Sequence, residues 1–194
     1  MHAKGPMEAS TLISDLTART LENIQRSKEL QNCSGDVLNQ KPSPDSWSAL
    51  ECIEHLNRYG DFYLPEIRQR IANTPHKSKG VFKTGWLGNY FAKSLMPKPK
   101  LNKMKTFTAM NPIGSDLDKS VLSTFLKQQQ ELLELLEQAR LIDLTKTKTA
   151  ISISSWIKVR LGDTFRVVIY HNQRHLDQAE RVARSKTTKS LQGI

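Results

Sequence analysis

Three of the five histidines in the chain occupy positions from which they could bind one metal ion. His171 and His175 are four residues apart, so on a helix their side chains project from adjacent turns of one face. His55 lies at the border of the apolar face of an earlier amphipathic segment. Three imidazoles with a fourth position open are typical of a reactive rather than a structural zinc-type site. The alternative is three boundary histidines that bond to ordinary neighbours, and spacing alone leaves both interpretations open.

Other residue types that can do chemistry are weaker candidates. His2, at the terminus, and His76, in a loop, are expected to be spectators. Tyr59 follows His55 by one turn, and packing at the core edge is favoured over a role as a proton donor. Cys33 and Cys52 lack the CxxC spacing and are expected to be free thiols. The chain has no phosphate-binding glycine loop, GxSxG elbow or HExxH motif, which excludes those enzyme classes.

The elements that must position the histidines are amphipathic helices. Apolar residues at helical spacing predict four of them, with the second beginning at a capping box formed by Ser48 and Glu51. Their predicted ranges are about 8–30, 48–73, 116–140 and 164–183, the last with Asp163 as N-cap. The β-branched segment 145–159 alternates like one short strand without a partner, so we expect an extended connection there. The sequence therefore predicts an all-α four-helix bundle with long crossover loops.

Composition and charge bound the remaining possibilities. The 194 residues carry a net charge of +10 and predict a single domain over 1–184, with a disordered tail over 185–194. No apolar run approaches the roughly 18 residues that cross a bilayer, and the first residues resemble no signal peptide. We therefore expect a cytoplasmic protein with no membrane partner.

The basic loop, residues 73–115, contains eight lysines, no acidic residue and several aromatic residues. Such a mixture could bind phosphates and stack on bases, but long loops in compact domains are more often lids or pocket walls, so nucleic acid is the less favoured partner. Trp86 and Tyr90 would form a lid over the metal. Lys98 and Lys100 would then attract an acidic substrate or cofactor.

Two stretches of the chain resemble a known family. They are PSPDSWSALECIEHL and LGDTFRVVIYHNQRHLDQAERV, in which a Trp-Ser helix start precedes a His-Leu pair and a His-x-x-x-His motif follows near the C-terminus. This pattern resembles the DinB/YfiT-like superfamily of bacterial four-helix proteins. The resemblance implies an up-down-down-up bundle. It also implies a divalent metal, zinc or nickel, bound by the residues at the matching positions, His55, His171 and His175.

The resemblance implies an activity only in outline. Family members include bacillithiol S-transferases, mycothiol-dependent maleylpyruvate isomerase and proteins assigned as metal-dependent hydrolases. We therefore expect a thiol S-transferase or hydrolase that acts on a small, acidic molecule, with the metal either binding a low-molecular-weight thiolate or activating water. The alternative is a non-enzymatic binding module whose basic loop 73–115 binds nucleic acid or acidic partners. A third hypothesis is a bundle whose site is a relic and which serves only dimerisation through an apolar helix face, at Leu132 and Leu135, which lie off the main apolar stripe of their helix.

Overall fold

A computed structural model describes residues 5–96 and 106–191, with side chains up to residue 185. Its described part is mostly helical. The helices are α1 (Ala9–Gln31), α2 (Gly35–Asn39), α3 (Ala49–Asn73), α4 (Trp86–Leu95), α5 (Ser120–Ala139) and α6 (Leu161–Leu191), and the strands are β1 (Met7–Glu8), β2 (Val81–Phe82), β3 (Lys148–Ile151) and β4 (Ser154–Arg160). His2, Lys98 and Lys100 lie outside the described residues.

The long helices α1, α3, α5 and α6 correspond to the four helices that the sequence predicts. The capping box at the start of α3 is confirmed: the Ser48 hydroxyl accepts from the Glu51 backbone N–H at 3.1 Å, and the Glu51 carboxylate accepts from the Ser48 N–H at 2.8 Å. Helices α1 and α3 each pack against both α5 and α6. Within the described residues, no helix combines the length and the apolar content that a membrane span requires.

The core consists of two apolar clusters with polar side chains between them. One cluster takes the first half of α1 and α6 and the second half of α3 and α5. The other takes the end of α1, the first half of α3 and α5, and the second half of α6. The buried polar side chains between the clusters come from all four helices: Thr20, Asn23, Ser27, Asn57, Gln128, Gln129, His171 and Asn172. Along α6, the first cluster ends at Tyr170 and the second begins at Leu176, so both α6 histidines lie in this polar layer.

The prediction of an extended connection over 145–159 is wrong, because the segment folds back on itself as a hairpin. Strand β3 pairs antiparallel with β4, with an irregular register between Ala150 and Ile151. The hairpin is attached to α3 where the Ala150 N–H donates to the Glu66 carboxylate at 2.7 Å. The sequence pattern showed no second strand to pair with, and the structure provides that strand within the same segment.

The basic loop is also more ordered than a plain connection, since it contains β2 and α4. Helix α4 packs on α6 so closely that a Cβ atom at Gly88 would lie 2.5 Å from the Cβ of Asp163. The prediction of Asp163 as the N-cap of the last helix is wrong, because α6 begins at Leu161. The buried Asp163 carboxylate instead accepts from the Gly85 N–H at 2.7 Å, which fixes the start of α4 on α6.

The proposed dimer face on α5 is not available. Leu132 and Leu135 are 0% and 2% exposed, because α5 packs against both α1 and α3 and buries a wider arc than one stripe. The prediction of a dimer contact through these two leucines is therefore wrong.

Candidate metal centre

His55, His171 and His175 form one cluster, called here the histidine cluster. One ring nitrogen from each lies within 4.8 Å of the others, and the Nε2 atoms of His55 and His171 are 3.2 Å apart. Around a tetrahedral zinc ion with Zn–N bonds of about 2.1 Å, neighbouring nitrogens are about 3.4 Å apart. The cluster could therefore hold a metal ion with small adjustments of the rings.

Regular helix geometry brings the three rings together. His171 and His175 lie on adjacent turns of α6, and their ring centroids are 4.7 Å apart. His55 lies in the second turn of α3, and its ring centroid is 4.5 Å from that of His175. Since α3 packs directly against α6, the two helices present their histidines to each other.

Hydrogen bonds at Nδ1 orient two of the rings. The Nδ1 of His55 lies 2.7 Å from the carbonyl oxygen of Met110, which can only accept, so this nitrogen must carry the proton. The Nδ1 of His175 lies 3.0 Å from the side-chain Oε1 of Gln178, which fixes the same tautomer. In both rings Nε2 is then the unprotonated nitrogen, the one that could bind a metal, and proteins commonly orient histidine ligands in this way.

The cluster is electrostatically suited to ligation, because its imidazoles stay neutral. Burial lowers the pKa of His55 to about 4, although the hydrogen bond to Met110 partly opposes this shift. Burial also lowers the pKa of His171 and of His175 well below 6.5, and the neighbouring histidines lower both further. All three rings therefore carry a single proton and no charge at neutral pH, the state in which imidazole binds a metal.

Two aromatic rings flank the cluster. The Trp47 ring centroid lies 4.6 Å from that of His55 and 5.6 Å from that of His175. The Tyr59 ring centroid lies 4.9 Å from that of His55 and 4.7 Å from that of His171. Burial raises the pKa of the Tyr59 hydroxyl, which therefore keeps its proton at neutral pH. Tyr59 thus packs at the core edge, as favoured from the sequence, and also borders the histidine cluster.

A strap of the basic loop, residues 109–115, is fastened over α3 beside the cluster. The Arg58 guanidinium donates to the Asn111 carbonyl at 3.0 Å, and the Trp47 indole N–H donates to the Asn111 side chain at 3.0 Å. The Gly114 N–H donates to the buried Glu51 carboxylate at 2.7 Å. The Arg58 guanidinium also donates to the Ala109 carbonyl at 3.4 Å, so the strap is held on both sides of Met110 and the carbonyl that orients His55 is itself held in place.

Sequence reasoning missed two of these contributors. Gln178 could have been found, because a polar residue three positions after His175 lies on the adjoining helical turn. The Met110 contribution gives no sequence signal, since any residue type supplies a carbonyl. The predicted lid is not observed, because Trp86 and Tyr90 are both exposed and do not cover the histidines. His76 is exposed and lies outside the cluster, as expected for a spectator.

Comparison with known proteins agrees with the geometry. The family model that describes the DinB superfamily matches residues 19–179, which include all three histidines. Neither curated proteins nor solved structures gave a match to the chain. Since the family match covers most of the sequence, the chain belongs to the DinB superfamily.

Proposed function

We propose that this protein is a metal-dependent enzyme, a thiol S-transferase or a hydrolase, that acts on a small acidic molecule. His55, His171 and His175 would hold one divalent ion, zinc or nickel. The observation that carries the proposal is the convergence of three neutral imidazoles, two of which are oriented by hydrogen bonds from outside the cluster. Membership in a family of metalloenzymes supports the same interpretation.

A divalent ion bound by three nitrogens with one position open supplies a Lewis acid that lowers the pKa of a thiol or of water. The protein residues would supply the environment for this chemistry. Trp47 and Tyr59 restrict water on two sides of the histidine cluster. Burial raises the pKa of the Tyr59 hydroxyl, so this wall residue keeps its proton at neutral pH.

The finer features of the family are part of the same proposal. The four long helices would run up-down-down-up, since one core cluster combines the first halves of α1 and α6 with the second halves of α3 and α5. A low-molecular-weight thiol would serve as the cofactor of a transferase, and the lysines of the basic loop would attract an acidic substrate. A cytoplasmic location and the oligomeric state stay predictions.

Activity assays on metal-loaded protein test the proposal. We expect the wild type, supplied with zinc or nickel, to catalyse either transfer of a small thiol to an electrophile or hydrolysis of an acidic ester or amide. His171→Ala should lose this activity, because it removes one ligand, whereas His76→Ala, which changes a histidine outside the cluster, should retain it. Turnover that is equal in all three proteins would contradict the proposal.

A further inference from the structure

The largest exposed aromatic side chains lie on two elements that pack together, α4 and β4. Trp156 on β4 is 93% exposed, and Trp86 and Tyr90 on α4 are 85% and 63% exposed. Exposing side chains of this size to water is unfavourable, so several of them on neighbouring elements indicate a contact surface.

Helix α4 presents large aromatic side chains to solvent and small residues to the protein, the reverse of the usual arrangement. Trp86, Tyr90 and Lys93, at positions i, i+4 and i+7, are all exposed, while Gly88 and Ala92 face the protein. Gly88 is needed inside because the buried Asp163 side chain leaves no room for a Cβ atom. The close packing of the small residues thus holds the aromatic side of this helix outward.

The hairpin contributes to the same face. Lys158 and Arg160 project from one side of β4, where its pairing with β3 is regular, and the exposed Trp156 lies two residues before Lys158. The Arg160 guanidinium donates to the carbonyls of Lys83 and Thr84, at 2.6 and 3.1 Å, immediately before α4 begins. This side of β4 is therefore continuous with the start of α4. We call the combined surface the aromatic-basic face, formed by Lys83, Trp86, Tyr90, Trp156, Lys158 and Arg160.

The charge of this region has one sign. Residues 76–96 and 144–160 each contain four basic and no acidic side chains. The acidic groups packed against them are occupied, since Asp163 is buried and bonded to Gly85 while Glu66 accepts from Ala150 and Arg70. Glu8 is an exposed carboxylate on the strand paired with β2. A second copy of the chain would bring like charges together across a two-fold axis, so the face fits an anionic partner better.

We propose that the aromatic-basic face binds single-stranded nucleic acid, with bases stacked on Trp86, Tyr90 and Trp156 and phosphates bound by Lys83, Lys158 and Arg160. Exposed rings and cationic side chains occur together on β4 and around the start of α4, which suits contacts with both bases and phosphates. The exposed Ile153 and Ile157 lie near Trp156 on the hairpin, but the cations Lys158 and Arg160 follow on the same strand, so this region is not the continuous apolar patch that a bilayer-inserting surface needs. The proposal is independent of the metal centre.

Fluorescence anisotropy with a labelled oligothymidine tests the proposal on the full chain. We expect saturable binding that weakens steeply with salt. Trp86→Ala and Trp156→Ala should each weaken binding by at least roughly fivefold, the effect of losing one stacked base. Lys158→Glu should weaken binding and flatten its salt dependence.

Matched control variants distinguish binding at this face from non-specific electrostatic or hydrophobic binding elsewhere on the protein. Leu21→Ala removes an exposed apolar side chain from α1, and Lys127→Glu reverses a charge on α5, so both should bind like the wild type. His171→Ala should also bind normally, which distinguishes this proposal from the enzyme proposal. Equal affinity of the tryptophan variants and the wild type would overturn the proposal, as would equal affinity for duplex DNA. Binding to vesicles that contain phosphatidylserine, without binding to the oligonucleotide, would overturn it in favour of a membrane surface.

Discussion

The histidine cluster and the aromatic-basic face depart from ordinary burial in opposite directions. In the cluster, titratable rings are buried between helices and kept neutral. On the face, large aromatic rings are left in water on a helix and a hairpin. Both arrangements oppose the usual preferences of their residue types. Side chains in environments that their residue type usually avoids therefore indicate candidate functional sites, both inside the protein and on its surface.

The largest expected effect concerns the inside of the protein. His171→Ala should reduce bound zinc or nickel from about one equivalent per chain to a small fraction. Catalytic zinc sites use three protein ligands, and this variant leaves only two histidines. Elemental analysis by plasma mass spectrometry on protein purified without a histidine tag measures this change. His76→Ala serves as the control and should keep its metal. Equal metal content in wild type and His171→Ala would show that the cluster is not the binding site.

The next prediction contrasts a buried aromatic residue in the second turn of α6, Phe165, with an exposed one on the strand before it, Trp156. Phe165 is fully buried in the first core cluster, so Phe165→Ala should lower the free energy of unfolding by about 3–5 kcal/mol. Trp156 is almost fully exposed, so Trp156→Ala should change it by less than about 0.5 kcal/mol. Urea denaturation of both variants measures the difference. A large loss in Trp156→Ala would mean that this ring packs in solution and that the face is not open.

The two regions also differ in how well the sequence predicts them. The four long helices follow from helical periodicity, which persists over many turns, whereas the convergence of His55 with His171 is compatible with that periodicity and is implied by the family resemblance. The hairpin was missed because its turn, at Ser152 and Ile153, lacks the usual Gly, Asn or Pro signal. An irregular register also interrupts its alternation.

Helix α4 was missed for a tertiary reason. Gly85 and Gly88 weaken its helical pattern, and prolines follow it in the sequence. Gly88 is explained only by its approach to Asp163, a residue distant in sequence. The strap at Met110 is similar, since a backbone carbonyl carries no sequence signature. Periodic, local features could thus be predicted, whereas contacts between distant segments could not.

Acidification tests whether the buried histidines are neutral. The pKa of each cluster histidine is lower in the folded protein than the ordinary value of about 6.5. The unfolded chain therefore binds more protons below that pH, and metal-free protein should lose up to about 1.4 kcal/mol of stability per pH unit for each histidine. For His55 the loss should continue to about pH 4. Denaturant titrations between about pH 6.5 and 5.5, above the range of ordinary carboxylates, measure the slope.

His171→Gln provides the control for acidification, because it removes one of the titrating groups and should reduce the slope. His76→Ala changes an exposed histidine outside the cluster and should leave the slope nearly unchanged. A wild-type slope near zero would mean that the folded histidines protonate as readily as unfolded ones. The cluster would then be open to water rather than buried.

The smallest effect concerns Gln178, which contacts His175 but does not belong to the histidine cluster. Gln178→Ala removes the oxygen that accepts from the His175 Nδ1–H, so the ring can rotate or change tautomer before it binds metal. Loss of such a partner typically weakens metal affinity by roughly 10- to 100-fold. Competition with a chelator of known affinity measures this change.

Gln178→Glu keeps an acceptor at the same place and should bind at least as tightly as the wild type, because a carboxylate also raises the basicity of the ring. If Gln178→Ala and Gln178→Glu weaken binding equally, volume rather than the hydrogen bond controls the ring. If Gln178→Ala binds like the wild type, packing of α3 against α6 alone orients His175, and the cluster needs no support from outside its three ligands.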